Sequence, residues 1–228
     1  MNYHLSPKLR DFEKRICSQN GEDGVIETIF SAIPPSNRFF VEFGVGPRKR
    51  GDYSRGLEGN CVLLKRRGWA GLFMDGGRHP PVFRVQQEFI TADNVNELFR
   101  KYAVPEDLAI VSIDVDGQDY WIWKALEYRP QVVVIEFNPI FGPNQSLVMP
   151  YQPDFVWDST QYFGASLRAL SNLGRSKGYR LVFANPVNAF FVLETYLQNR
   201  EDFQFERLFV QASYHRPDPY GRPYEWAP

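Results

Sequence analysis

Four apolar runs in this chain end on an acid: Phe39-Phe-Val-Glu42, Leu72-Phe-Met-Asp75, Val111-Ser-Ile-Asp114 and Val133-Val-Ile-Glu136. A buried strand that finishes on a carboxylate is disfavoured unless something answers the charge. Four such acids along one rim are better explained by a ligand than by chance. The first run empties into Gly44-Val-Gly46, so a carboxylate and bare backbone meet at one strand end. A dinucleotide fingerprint needs a third glycine for helix packing around a pyrophosphate, and that position is Lys49. The acid-then-glycine order suits S-adenosylmethionine (SAM) better, because its methionine end carries a positively charged amine.

The elements that must position these acids follow from periodicity. Helical spacing covers Asn20 to Ile33, stopped by Pro34-Pro35. Phe39–Phe43 reads as the first strand, residues 57–66 as a helix and 70–74 as the second strand. Val82–Ile90 reads as a third strand, with Thr91 or Asp93 capping a helix to Tyr102. Leu108–Ile113 and 132–135 make the fourth and fifth strands, separated by a helix over 119–128. An irregular stretch, 139–162, has the length of a lid or binding segment. A helix over 164–177 and a hairpin of 179–183 with 189–193 close the pattern. Alternation of strands and helices predicts one α/β domain over residues 1–228 with a mostly parallel sheet. It has a helical segment at 1–36 and a polar-aromatic tail from Tyr214 that is not expected to join the core.

Composition narrows the function classes. Net charge is −1 and charged residues make up 23%, so no global field draws nucleic acid or an anionic membrane. Arg48-Lys-Arg50 reads as a solvated loop, although beside a cofactor it could meet an acidic substrate. Two cysteines, Cys17 and Cys61, are too few for a disulfide framework or a cysteine-built zinc site. No stretch is long and apolar enough to span a bilayer, and no signal-peptide core stands at the start. A cytoplasmic protein is expected, with a small-molecule substrate and, as a macromolecular partner, a second copy of itself.

Six motifs recur in order: Ser18-Gln-Asn-Gly-Glu-Asp23, Phe40-Val-Glu-Phe-Gly-Val-Gly46, Ser54, Gly68-Trp-Ala-Gly-Leu-Phe-Met-Asp75, Ile113-Asp-Val-Asp-Gly117 and Val133-Val-Ile-Glu136. Together they resemble the FkbM-type methyltransferase family over roughly residues 18 to 140. The resemblance implies a class I, Rossmann-like methyltransferase fold: a seven-stranded sheet, helices on both faces and a terminal antiparallel hairpin. It further implies SAM as cofactor and a hydroxyl of a sugar or natural product as methyl acceptor. Asp116 stands where a glutamate is usual, and the segment after Glu136 is long and polar.

On that footing Glu42, Gly44 and Gly46 lie against the methionine part of SAM, with Gln19, Ser54, Gly76 and Asp114 nearby. Asp75 accepts from the ribose hydroxyls, or is simply a helix cap. Thr91, Asp93 and Asn94 meet adenine or act as caps. Ser18, Glu22 and Asp23 suit a lid or a helix start. Asp114, Asp116, Asp119, Glu136 and Asn138 form the chemical group. Asp114, Glu136 and Asn138 resemble in placement the metal ligands of catechol O-methyltransferase-like enzymes, so Mg²⁺ could lower the acceptor's pKa there. Without metal, Asp116, Glu136 or His79 would serve as general base. The plainest alternative makes Asp116-Gly117 a turn and Asp119 a cap. Tyr120, Trp121 and Trp123 stack on a ring substrate or belong to the core. Gly164-Ala-Ser166 is an anion site or a cap. His4 and His215 lack context, and Asn188 has no assigned role. Two rival functions share the same residues: a metal-dependent hydrolase or phosphatase on the acid cluster, and a non-catalytic SAM-binding module.

Overall fold

The computed structural model of the chain describes residues 1–213 and 216–228; Tyr214 and His215 lie outside the described residues. In chain order the elements are α1 (Glu22–Ala32), β1 (Phe39–Phe43), β2 (Gly46–Lys49), β3 (Asp52–Glu58), α2 (Val62–Arg66), β4 (Ala70–Asp75), β5 (Val85–Gln87) and α3 (Val95–Lys101). There follow β6 (Ile110–Ile113), α4 (Asp119–Ala125), β7 (Val132–Glu136), β8 (Leu147–Val148), α5 (Leu167–Ser176), β9 (Tyr179–Ala184), β10 (Asn188–Leu193), α6 (Phe205–Leu208) and β11 (Glu225–Trp226). The central sheet has seven strands in the order β5-β4-β1-β6-β7-β10-β9. The first five run parallel, while β10 lies antiparallel to both β7 and β9. This α/β architecture is compatible with a Rossmann-like fold, and its chain order reverses direction at β1, between β4 and β6.

Period-two alternation gives each strand two apolar faces, as a sheet covered on both sides requires. Val41, Phe43, Leu72, Met74, Val111, Ile113, Val133 and Ile135 pack with Val95, Phe99, Trp123 and Leu170 of α3, α4 and α5. Phe40, Phe73, Ile110, Val132 and Val134 face the other way, against Ile26 and Ile29 of α1 and Leu63 of α2. Tyr120 and Trp123 are therefore core residues, and Trp121 donates its Nε1–H to the Met149 carbonyl at 2.8 Å.

Three local expectations need correction. Residues 46–58 fold as an antiparallel β2–β3 hairpin turning at Gly51, whose φ is +78°, and the helix after it begins only at Val62. Val82–Ile90 is not one strand: Pro81–Phe83 forms a 3₁₀ turn, Arg84 takes a left-handed φ of 53°, and β5 is three residues long. Two consecutive prolines impose that turn. The tail also joins the structure, because β11 pairs with β8 and Ala227 is buried. Arg222 donates to Asp158, Thr160 and Asp218 at 2.8–2.9 Å and lies 4.2 Å over the Tyr162 ring. No helix among the described residues is long and apolar enough to cross a membrane.

Candidate functional site

Strand register decides where the four terminal acids stand. Glu42 is level with Phe73 and Ser112, and Ser112 is level with Val134. Asp75, Asp114 and Glu136 are each two residues further along, about 6–7 Å nearer the rim at ordinary strand rise. Gly44 occupies the rim level of β1, between Asp75 and Asp114. A Cβ there would sit 1.6 Å from the Asp114 carbonyl oxygen, and φ is +74°, so only glycine fits. The bend thus lets the chain's own backbone approach, at the point where two lobes of one cleft meet.

Gly44, Asp75, Gly76, Phe89, Ile90 and Asp114 line the first lobe, closed by Gln118 and Phe155; its volume is about 140 Å³. Asp75 Oδ1 accepts from Gly77 N at 2.7 Å and His79 Nε2 at 2.8 Å, and no described residue engages Oδ2. Phe89, Ile90 and Phe155 give this lobe its apolar wall. Gln118 Oε1 accepts from Gln152 N at 3.0 Å, which fixes the amide with Nε2 buried and unpartnered. The loop after β7 therefore does bound the cleft, through Pro153 and Phe155.

The second lobe is lined by Gln19, Glu42, Gly44, Gly46, Glu58, Asn60, Asp114 and Asn188. Glu42 lies deep in it, accepting from Asn60 N at 2.5 Å and Cys61 N at 3.0 Å at the start of α2. Burial pushes its carboxyl up to about 8, against the pull of those two amides. Glu42 is thus first an anchor for α2 and only then a wall of the lobe. Asn188 pairs in register with Glu136. Its Nδ2 donates to Glu22 Oε1 at 3.0 Å, so the amide orientation is fixed and Oδ1 remains buried without a partner.

One oxygen from each of Asp114, Asp116 and Glu136 lies within 4.8 Å of the others, a set that could hold a metal ion. Burial, then the neighbouring carboxylates, hold Asp114 and Glu136 well above the usual carboxylate range. Burial and the nearby Asp75 raise Asp116 as well. Glu136 Oε2 is a third buried atom with no partner. Asp116 takes a left-handed φ of 55°, a conformation disfavoured outside glycine. Asp119 fixes it there: its carboxylate accepts from Val115 N at 2.8 Å and Gly117 N at 3.0 Å.

Several sequence expectations are overturned by this geometry. Asn138 is not free to bind metal: its Nδ2 donates to the Gln161 and Phe163 carbonyls and its Oδ1 accepts from Ile140 N. His79 lines neither lobe; its ring is held between Asp75 and Tyr53. Ser54 is exposed on the outer hairpin strand, away from both lobes. Ser18, Glu22 and Asp23 are structural. Asp23 Oδ2 gathers the amides of Ile16, Cys17 and Ser18, and the folded loop sets Gln19 at the second lobe. Burial would raise Glu22, but hydrogen bonds from Asn188, Asn185 and Asn20 outweigh it and hold its carboxyl low. Ser166 caps α5 by accepting from Ala169 N. The Asn94 side chain makes no cap hydrogen bond and instead accepts from Thr91 N and donates to the Phe89 carbonyl. Asp93 accepts from the Tyr151 hydroxyl at 2.7 Å.

The residues missed were Phe89, Gln118, Phe155, Glu58, Asn60 and, as a wall, Asn188. Phe89 stands two residues before the Thr91–Asn94 segment, and that position is its one available signal. Compared with protein-family models, curated proteins and solved structures, the chain matches none.

Proposed function

We propose that this chain is a SAM-dependent methyltransferase of the FkbM type, acting on a hydroxyl of a sugar or small polar natural product. The observation that carries it is the two-lobed cleft at the β1 switch point. One lobe combines apolar walls with a free carboxylate oxygen, as a nucleoside needs. The other gathers carboxylates and an amide acceptor, as an ammonium group needs. The mostly parallel sheet closed by an antiparallel hairpin agrees with what the family resemblance implies. Three buried polar atoms without partners, on Gln118, Glu136 and Asn188, further support a polar ligand.

The residues present fit SAM. Asp75 Oδ2 would take the ribose hydroxyls, Phe89, Ile90 and Phe155 would flank the base, and Glu42, Gln19 and Asn188 would surround the ammonium. SAM supplies an electrophilic methyl when bound. Asp114, Asp116 and Glu136 contribute raised proton affinity, which suits them to accept a hydroxyl proton near neutral pH. Titration calorimetry with S-adenosylhomocysteine tests the reading, with a micromolar Kd expected. Folded protein that evolves no heat at high micromolar ligand overturns it. Tight binding without methyl transfer to any hydroxyl acceptor would favour a non-catalytic module instead.

The 4.8 Å carboxylate set favours a second, compatible element. Asp114, Asp116 and Glu136 would supply hard oxygen ligands to Mg²⁺, which lowers the pKa of a bound hydroxyl. Millimolar Mg²⁺ or Mn²⁺ is then expected to raise Tm by roughly 3–6 °C, from relieved carboxylate repulsion. Asp116→Asn should abolish the shift. A flat response in the wild type leaves proton acceptance to the carboxylates alone. Metal-dependent phosphoester turnover with no S-adenosylhomocysteine binding would turn the assignment to a hydrolase.

A further inference from the structure

His79 is the middle residue of a part-buried hydrogen-bond line, Tyr53–His79–Asp75, that the methyl-transfer chemistry does not use. Its side chain is 6% exposed. Nε2 lies 2.8 Å from Asp75 Oδ1, and Nδ1 lies 2.9 Å from the Tyr53 hydroxyl. A carboxylate only accepts, so Nε2 carries the proton, and in the neutral ring Nδ1 accepts from Tyr53 O–H. The tautomer is thereby set by the two partners. Tyr53 is itself held: its ring stacks on Phe83 at 5.3 Å and meets the imidazole edge-on at 5.8 Å.

The consequence falls on Asp75. Two donors, His79 Nε2 and Gly77 N, converge on Oδ1 and hold the carboxylate in one orientation. Oδ2 is then left to face a ligand at the first lobe. Tyr53 lies on β3, and the base of that hairpin, Gly46, Pro47 and Glu58, lines the second lobe. One strand therefore reaches from the wall of one lobe to the support of the acid in the other.

We propose that Tyr53 and His79 are positioning residues: Tyr53 fixes the His79 ring, which fixes the Asp75 carboxylate for the two ribose hydroxyls of a nucleoside ligand. The proposal rests on the nucleoside reading of the first lobe. Preorganising a binding group through a second layer of hydrogen bonds is what gives such sites their selectivity. It assigns His79 a role without proton transfer to substrate, in keeping with its absence from both lobes.

The test is titration of the full chain with S-adenosylhomocysteine, alongside adenosine and 2′-deoxyadenosine. His79→Leu removes the donor to Asp75 and is expected to weaken S-adenosylhomocysteine about 10- to 30-fold, the loss from one charge-assisted hydrogen bond. His79→Gln can still donate to Oδ1 and should stay within about threefold of wild type. Tyr53→Phe keeps the Phe83 stack, removes only the hydroxyl, and should cost about threefold. The wild type should prefer adenosine over its 2′-deoxy analogue by about tenfold, a preference that His79→Leu reduces to about twofold. Asp75→Asn with His79→Leu should bind no worse than Asp75→Asn alone, because the histidine acts through that acid. Equal losses in the Gln and Leu variants with the ribose preference intact would reduce His79 to a packing residue and overturn the proposal. Wild-type affinity in His79→Leu would do the same. Folded wild-type protein that ignores S-adenosylhomocysteine overturns the nucleoside reading itself, a distinguishable failure.

Discussion

Asp75→Ala is expected to weaken S-adenosylhomocysteine binding about a hundredfold while leaving the fold intact. The reason is the free oxygen. Oδ1 is engaged by Gly77 and His79, so what the ligand loses is Oδ2 and the orientation that Oδ1 imposes. Two hydrogen bonds from hydroxyls to a carboxylate, at about 1.5 kcal/mol each, correspond to about 10² in Kd. Stability should fall only modestly, by about 1–2 kcal/mol: Asp75 is a quarter exposed, but the His79 Nε2–H, on a side chain 6% exposed, loses its acceptor. Removing it even relieves a repulsion, since Asp75 is one of the charges that raise Asp116. Calorimetry and a thermal melt on the same sample separate the two effects. An affinity within about threefold of wild type would remove Asp75 from ribose recognition.

Glu42 should behave in the opposite way, through stability and pH. Its carboxyl is pushed up to about 8 by burial, and Asp119 to about 7 by the same cause. A folded-state pKa above the unfolded value means that the native protein holds the proton more tightly. That contribution is complete below about pH 4, the unfolded range, and is lost as pH rises through 7 to 8. Urea unfolding should therefore give falling stability from pH 5 to pH 8.5, by a few kcal/mol in the protein without ligand. Glu42→Gln removes that titration and should make the slope shallower by Glu42's share, leaving what Asp114, Asp116, Asp119 and Glu136 contribute. Its amide offers one acceptor where Oε1 and Oε2 each receive a backbone N–H, so it should start from a lower stability. Glu42→Ala strips two amides at the start of α2 of their acceptor and opens a cavity, so it should destabilise at every pH, by about 2–4 kcal/mol. Ligand affinity runs against stability: a ligand ammonium prefers the ionised carboxylate, so binding should tighten with rising pH over the same window. A wild-type slope of the other sign, or one that Glu42→Gln leaves unchanged, would remove Glu42 from the groups that set it.

The parts of this fold that can be read from sequence are those with strong local signals. Val132-Val-Val-Ile135 has one plausible fate, and Gly44 announced its turn. The β2–β3 hairpin lacks such a signal: its strands read Gly-Pro-Arg-Lys and Asp-Tyr-Ser-Arg-Gly-Leu-Glu, buried only at Leu57 and Glu58, so no apolar alternation marks it. β8 and β11 are two residues each and find one another across 76 positions, a pairing that no window along the chain can see. The site divides the same way. Acids at strand ends are visible, but which end is deeper depends on register, and register put Glu42 two residues below its neighbours. Asn138 has the residue type and location of a ligand, yet it spends its amide on Gln161 and Phe163. Gln118 and Asn188 become informative only once a partner on one end of the amide leaves the other end unanswered.

Glu42, Asp75 and Glu136 share strand parity with Phe40, Phe73 and Val134, so their side chains lie on the α1–α2 side of the sheet. Shifting any of these strands by a single residue would turn its acid toward Phe99 and Trp123, an oily interior with nothing to receive it. The same carboxylates that equip the cleft therefore penalise misaligned pairings while the sheet assembles. Neutralising them for convenience, one by one, would blunt a folding safeguard as well as a pocket.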